Sequence, residues 1–311
     1  MDAPDPSRAA VPRAAVSRAA VHGTLLAVQV AFASLAVGGK VVFRALEPGA
    51  LALVRLGATA LVFAVIAWRS GGLPRIPARD VAKIAGCAAL GIFGNQVLFL
   101  YGLRETTAVN AALLVATIPV FTVTVAIVTR REAARPRTIA GVGIAFAGVV
   151  WLVAGDLELG TATVIGDLLV VANSIVYAIY LVLVRDLVGR YGAVPVVTIG
   201  FGFGTLFALP VGAVSLVQQA PAIEAEVGWL VLYLVLVPTV FTYLANAWAL
   251  RHAASSVVAI YIYAQPPVAA ALAWAFLGEV PSGRIVVTAV AVFAGIWLTT
   301  RVPAPVGGAA T

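Results

Sequence analysis

The chain has 311 residues, 62% of them hydrophobic and 11% charged, with a formal net charge of +7 and a mean hydropathy of +1.05. A water-soluble domain carries about a quarter of its residues as charges, so this composition excludes a soluble enzyme or binding module. In hydrocarbon every backbone polar group must be bonded internally, which leaves helices or a closed barrel. The apolar runs are continuous and about 20 residues long, as membrane-crossing helices require, and lack the short alternation of barrel strands.

Residues 1–23 contain a pentad repeat, Arg8 to Pro12, Arg13 to Ser17 and Arg18 to His22. They read as a disordered basic cytoplasmic tail whose arginines touch anionic lipid. A cleaved signal peptide also begins basic and turns apolar, but the run 24–43 is too long for one. Spans are predicted at 24–43, 50–68, 82–102, 106–128, 138–154, 164–184, 194–216, 228–250, 254–277 and 284–300. The connection from Pro210 to Glu226 is longer and more polar, which predicts an end to the seventh span and an external loop. Residues 302–311 form a second cytoplasmic tail. Cys87 stands alone in an apolar run, so neither a disulfide nor a thiolate metal site is expected.

The basic residues set the direction of the spans. With the N-terminus inside, fifteen of the twenty Lys and Arg fall in inner segments, among them Arg69, Arg75, Arg79, Lys83, Arg130, Arg131, Arg135, Arg137, Arg185, Arg190 and Arg251. Lys40, Arg44, Arg104 and Arg284 remain outside, and Arg55 lies within the second span. Glu47, Glu105, Asp156, Glu158, Asp167, Glu224, Glu226 and Glu279 fall on or near the outer side. Both termini are then cytoplasmic. The positive charge belongs to inner loops, and no nucleic-acid partner is expected.

Sliding the sequence by 147 residues lays Leu103–Gly148 over Leu250–Gly295 without a gap, with ten identities in 46 positions. The informative pairs are Arg104/Arg251, Pro119/Pro266, Glu132/Glu279, Arg137/Arg284 and Gly148/Gly295. Each half holds five spans, an odd number, so the second half enters from the opposite face. The expected fold is an all-α membrane protein of ten transmembrane helices arranged as two inverted five-helix repeats, 24–154 and 164–301. Inverted repeats are characteristic of secondary transporters, which exchange the conformations of two similar halves around a midplane site.

The second half carries Pro266-Pro267, then Leu277-Gly278-Glu279-Val280-Pro281 and Gly295-Ile296-Trp297-Leu298. The first carries Leu53-Val54-Arg55-Leu56, Pro119, Arg131-Glu132 and Gly148-Val149. In these the chain resembles the EamA-type transporters of the drug/metabolite transporter superfamily. The resemblance implies a ten-helix exporter of amino acids, related metabolites or toxic small molecules in a bacterial inner membrane. Its cavity would be formed by the first four helices of each half. The chain departs from the family pattern at Ala31-Phe32-Ala33-Ser34, where Trp-Gly is frequent. It departs again at Val176-Tyr177-Ala178-Ile179-Tyr180, where Trp-Ala is common.

Polar side chains in hydrocarbon must face protein or water. Asn173, Tyr177 and Tyr180 share one helical stripe, Thr239, Tyr243 and Asn246 a second, and Tyr261 and Gln265 a third. Asn95 and Gln96 are adjacent in the third span. The substrate-binding candidates are therefore Asn95, Asn173, Tyr177, Tyr180, Tyr243, Asn246, Tyr261, Gln265 and Arg55. Arg55 either meets a substrate carboxylate, pairs with an acidic residue or snorkels to the interface. The alternative for the stripes is hydrogen-bonded glue between helices. Pro119 and Pro266 are candidate hinges, placed near the middle of equivalent helices. Arg131, Glu132 and Glu279 are expected to pair locally or with Arg137 and Arg284.

No carboxylate falls at mid-membrane, which disfavours obligatory proton–cation antiport and favours neutral, zwitterionic or aromatic cargo. An uptake or exchange carrier for a nucleotide sugar or a drug-like amine is the alternative. The two histidines, His22 and His252, lie outside the expected core, and no catalytic motif is present. An intramembrane enzyme is therefore not expected, and a channel lacks a filter motif or charged ring. The expected partners are a small-molecule substrate and membrane lipid, with no cofactor and no metal, for a monomer or homodimer.

Overall fold

The computed structural model describes residues 17–106, 111, 114–153, 164–268 and 283–300, and every regular element among them is helical. The helices are α1 (Arg18–Val42), α2 (Pro48–Arg69), α3 (Ala78–Glu105), α4 (Ile118–Val128) and α5 (Pro136–Val153). They continue with α6 (Val164–Tyr191), α7 (Ala193–Gln219), α8 (Ala225–Leu250), α9 (Ser255–Ile260) and α10 (Gly283–Thr300). Six of them, α1, α2, α3, α6, α7 and α8, are long and apolar enough to cross a membrane; α4, α5 and α10 are shorter apolar helices. Residues 1–16, 154–163, 269–282 and 301–311, and with them Asp156, Glu158, Glu279 and the expected tail 302–311, lie outside the described residues.

Two boundaries differ from expectation. α1 begins at Arg18, before the expected start at residue 24, because Ser17 caps it: its hydroxyl accepts from the Ala20 amide at 3.1 Å. A capping serine satisfies one of the orphan donors of the first turn, so residues 18–23 are helical and not part of an unstructured tail. At the other boundary, α7 runs through Pro210 to Gln219. Proline forfeits one backbone bond, whereas ending the helix in hydrocarbon would strand several polar groups. The connection to α8 is correspondingly short.

The register of 147 residues runs through the architecture. α3 and α8 begin 147 residues apart, and α5 and α10 are displaced by 147 at both ends. α3 and α8 each contain a π-helical segment, Ala89–Gly94 and Leu236–Phe241, again 147 residues apart. No residue is identical between these two segments. The helix pairs α2–α7 and α5–α10, each a helix with its own counterpart, pack extensively, and α3 packs as extensively on α6. α3 against α6 and α1 against α8 are likewise exchanged by the same shift.

Between helices in lipid, close packing replaces the hydrophobic effect, and small residues allow it. At the α2–α7 crossing a Cβ on Gly212 would lie 2.2 Å from the Gly49 carbonyl oxygen. At the α5–α10 crossing a Cβ on Gly295 would lie 2.4 Å from the Gly141 oxygen.

Polar contacts tie helix ends that the charge map assigns to the same side. At the basic end, Asp80 accepts from Lys83 at 2.8 Å and from the Tyr191 hydroxyl at 2.6 Å. Arg131 forms an ion pair with Asp186 of α6. Glu132 accepts from the Ser255 hydroxyl at 2.9 Å and from both the amide and hydroxyl of Ser256. At the opposite end Glu47 accepts from Ser215 at 2.9 Å, and Thr106 donates to Asp167. Arg131 and Glu132 therefore do not pair with each other or with Arg137. Glu132 instead sits at the start of α9, where a carboxylate meets unsatisfied amides and the positive end of the helix dipole. Glu132→Ala is expected to lower stability by about 1–2 kcal/mol, seen as a lower melting temperature in detergent. Glu105→Ala, which removes only an exposed pair with Arg104, is expected to leave melting unchanged.

Candidate functional site

α3, α6 and α8 bring six of the nine binding candidates into one buried cluster. The Asn173 amide donates to the Asn95 backbone carbonyl at 2.7 Å, and the Asn246 amide donates to the Tyr177 hydroxyl at 3.3 Å. The Tyr243 hydroxyl donates to the Gly91 carbonyl at 2.8 Å and lies 3.1 Å from Asn95 Oδ1. The Tyr177 and Tyr180 rings stack with centroids 5.8 Å apart, Tyr180 lies 6.4 Å from Tyr243, and Phe201 of α7 meets Tyr243 edge-on at 4.9 Å.

The π-helical segment of α3 shapes this cluster. Such segments shift the ladder and leave carbonyls open to other partners, and the Gly91 carbonyl takes the Tyr243 hydroxyl. A Cβ on Gly91 would lie 1.8 Å from Tyr180 Cγ, so only glycine lets that ring rest on α3.

Arg55, on α2, joins the same cluster from the side. It is 2% exposed, and its Nε and one terminal nitrogen donate to Thr239 Oγ1 at 3.2 and 2.8 Å. Thr239 belongs to the π-helical segment of α8 and donates in turn to the Leu234 carbonyl at 2.7 Å. Among the described residues no carboxylate lies within ion-pair distance of Arg55. A guanidinium has five N–H donors, and a buried charge without a counter-ion costs several kcal/mol. Of the three sequence alternatives for Arg55, pairing with an acid and snorkelling to the interface therefore do not occur among these residues.

Among the described residues, both amide atoms of Gln96, Asn246 Oδ1 and Thr59 Oγ1 are also buried without a hydrogen-bond partner. Thr59 lies one turn along α2 from Arg55, on the same face. Gln96 approaches Tyr243 without completing a hydrogen bond. Gln96 and Tyr243 are counterparts in the 147-residue register, so they meet where the two halves face each other.

Tyr261 and Gln265 lie apart from this cluster and join the segment that follows α9 to α1. The Tyr261 hydroxyl bonds His22 Nδ1 at 2.5 Å with the rings stacked 5.9 Å apart, and the Gln265 amide donates to Gln29 Oε1 at 2.9 Å. His22 is thus half-buried in helical packing and not outside the core. Gln29, buried at mid-span, is a polar residue the stripe pattern omitted.

Pro119 and Pro266 stand just after interruptions, not within unbroken helix. A turn at residues 116–117 precedes Pro119 in the first turn of α4, and the 3-10 segment Tyr261–Ala264 precedes Pro266. The missing proline N–H costs nothing at a helix start. The Leu114 carbonyl, left by the first interruption, accepts from the hydroxyls of Thr117 and Ser174.

The tyrosine cluster is packed, and an open cavity of about 370 Å³ lies elsewhere, at the basic end of the bundle. It is lined by Arg18, His22, Arg131, Arg135, Arg185 and His252, with Glu132 as its acidic member.

The apolar helices, the doubled register and the buried polar centre define a helical membrane transporter. The chain belongs to the EamA-like transporter family, whose model matches residues 21–154 and 164–301. An uncharacterized transporter of Archaeoglobus fulgidus is 31% identical over 84% of this chain and 90% of its own length. A probable terminal-alkyne amino-acid exporter of Streptantibioticus cattleyicolor is 32% identical over 81% of this chain and 83% of its own. A solved crystal structure of a protein 19% identical aligns with TM-score 0.75, covering 91% of this chain and 97% of that one; this likeness concerns the fold alone.

Proposed function

We propose that the chain exports amino acids or closely related zwitterions by alternating access around the Arg55–Tyr243 cluster. The observation that carries this reading is Arg55: a buried guanidinium whose only hydrogen-bond partner among the described residues is a threonine hydroxyl. A substrate carboxylate supplies the missing anion by charge-assisted hydrogen bonds. Gln96 Oε1 and Asn246 Oδ1, without a hydrogen-bond partner among the described residues, suit an ammonium group, and the faces of Tyr177, Tyr180 and Tyr243 suit a cation or an apolar or aromatic side chain. The S. cattleyicolor relative, an amino-acid exporter by description, supports the same cargo class.

In this reading ten helices form two inverted five-helix repeats, 24–154 and 164–301, with both termini cytoplasmic in a bacterial inner membrane. The 147-residue displacement of helix bounds and π-helical segments supports the repeat. The gathering of basic residues at one end supports the orientation. Tyr261 and Gln265 act with His22 and Gln29 in the seam that parts when the inner side opens. The interruptions before Pro119 and Pro266 serve as paired hinges.

Counterflow in proteoliposomes with a panel of L-amino acids, their decarboxylated amines, and sugars tests the cargo class. Amino acids with apolar or aromatic side chains are expected to move and the amines and sugars not to. Among the described residues no carboxylate touches the central cluster, so an imposed pH gradient is expected to leave the flux unchanged. Flux of amines but not amino acids would reject this reading.

A further inference from the structure

We propose that the cavity of about 370 Å³ at the basic end is a binding site for a small anion bearing a carboxylate or phosphate group, distinct from the Arg55 centre. Positive charge on this side of the membrane is ordinary when scattered over loops. Here it is gathered around one concavity by segments from both halves: the start of α1, the loop after α4, the end of α6 and the turn between α8 and α9. Four arginines and two histidines face a volume within the range of small-ligand pockets.

The acidic member of that lining is committed, since Glu132 bonds Ser255 and Ser256. Arg131 is fixed by Asp186, and Arg185 through Nε to the Ala253 carbonyl at 3.2 Å. A guanidinium so held keeps further N–H donors for a ligand. Like charges held around one volume repel, and low-dielectric walls focus their field into it. A bound anion relieves that repulsion.

The position of the site adds a path. His22, on its wall, bonds Tyr261, and Gln29 bonds Gln265 two turns further along α1. An anion in the cavity therefore sits at the mouth of a polar seam between α1 and the segment that follows α9. His252 also lies 4.8 Å from the Trp248 ring, so occupancy changes the surroundings of a fluorophore.

The test titrates the full chain in dodecyl maltoside micelles, which contain no phosphate, with inorganic phosphate while following tryptophan emission. Saturable quenching is expected, absent from W248F and weakened at least tenfold in R18Q/R185Q. Because Arg185 also holds Ala253, R18Q alone, at the exposed start of α1, is expected to weaken binding severalfold without loss of fold. Adding phosphatidylglycerol to the micelles separates the sources. Competition with phosphate assigns the site to a lipid headgroup, and an unchanged titration assigns it to a soluble anion. No phosphate response, or equal affinity in R18Q/R185Q, would overturn the site. Loss of the response in R55Q with R18Q/R185Q unaffected would place the anion at the centre and also overturn it. The assay uses no transported cargo, so its failure is distinct from failure of the export reading.

Discussion

Replacing Arg55 by leucine is expected to lower amino-acid flux by roughly 10- to 150-fold, the effect of losing about 1.5–3 kcal/mol of hydrogen bonding to a charged group. The same substitution is expected to hold or raise the melting temperature in detergent. In the wild type the buried guanidinium has one neutral hydroxyl as its partner among the described residues. Exchanging such a charge for a hydrophobic side chain of comparable volume removes a desolvation cost. Thr239 is not stranded, because its hydroxyl still donates to the Leu234 carbonyl. Lower flux with undiminished stability separates a binding role from a structural one. A variant that loses both would show that Arg55 holds α2 against α8, and the substrate role would fall.

Gly212→Ala is expected to lower stability sharply. Its Cβ would meet the Gly49 carbonyl oxygen at 2.2 Å, the Gly49 carbonyl carbon at 2.8 Å and Leu53 Cβ at 2.8 Å. Two of these atoms are backbone, so no rotamer change relieves the contact and α2 must part from α7. Overpacking of this kind costs about 1–3 kcal/mol and occasionally more. This crossing is among the most extensive helix contacts in the bundle. The measurement is thermal unfolding with the folded fraction followed by size-exclusion chromatography. Gly228→Ala in α8, which meets nothing within 4 Å, serves as the control. It is expected to be neutral or stabilising by a few tenths of a kcal/mol, as alanine favours helix over glycine.

Most of the helical framework was legible because hydrocarbon thickness fixes span length and charge marks the ends. The stripes Asn173–Tyr177–Tyr180 and Tyr243–Asn246 also assembled as one cluster, since spacing of three and four residues fixes a common face. What the stripes meet was not legible. Tyr261 and Gln265 meet His22 and Gln29: His22 ends a pentad repeat that has the composition of a tail, and Ser17 within that repeat is the cap that starts α1. Gln29 was available as a signal, being an amide within an apolar run. Glu132 found Ser255 and Ser256 across a tertiary contact that local charge pairing cannot anticipate. The π-helical segments left no mark in identity. Gly91 opposite Pro238 and Ile92 opposite Thr239 share geometry without sharing chemistry, and only the placement of the backbone relates them.

That difference in chemistry gives the doubled architecture an asymmetric centre. Arg55 has Gly202 as its counterpart and Tyr243 has Gln96, so one half contributes the charge and the other the phenols. A symmetric scaffold with an asymmetric lining can present one oriented site to both sides of a membrane, as alternating access requires.

The most direct measurement compares the flux of an L-amino acid with that of its carboxamide in proteoliposomes bearing wild-type protein or R55Q. A carboxylate bonded to Arg55 predicts that wild type favours the amino acid by roughly 10- to 150-fold and that the preference collapses toward one in R55Q. An equal preference in both proteins would contradict a carboxylate site at Arg55 and, with it, the central reading of this transporter.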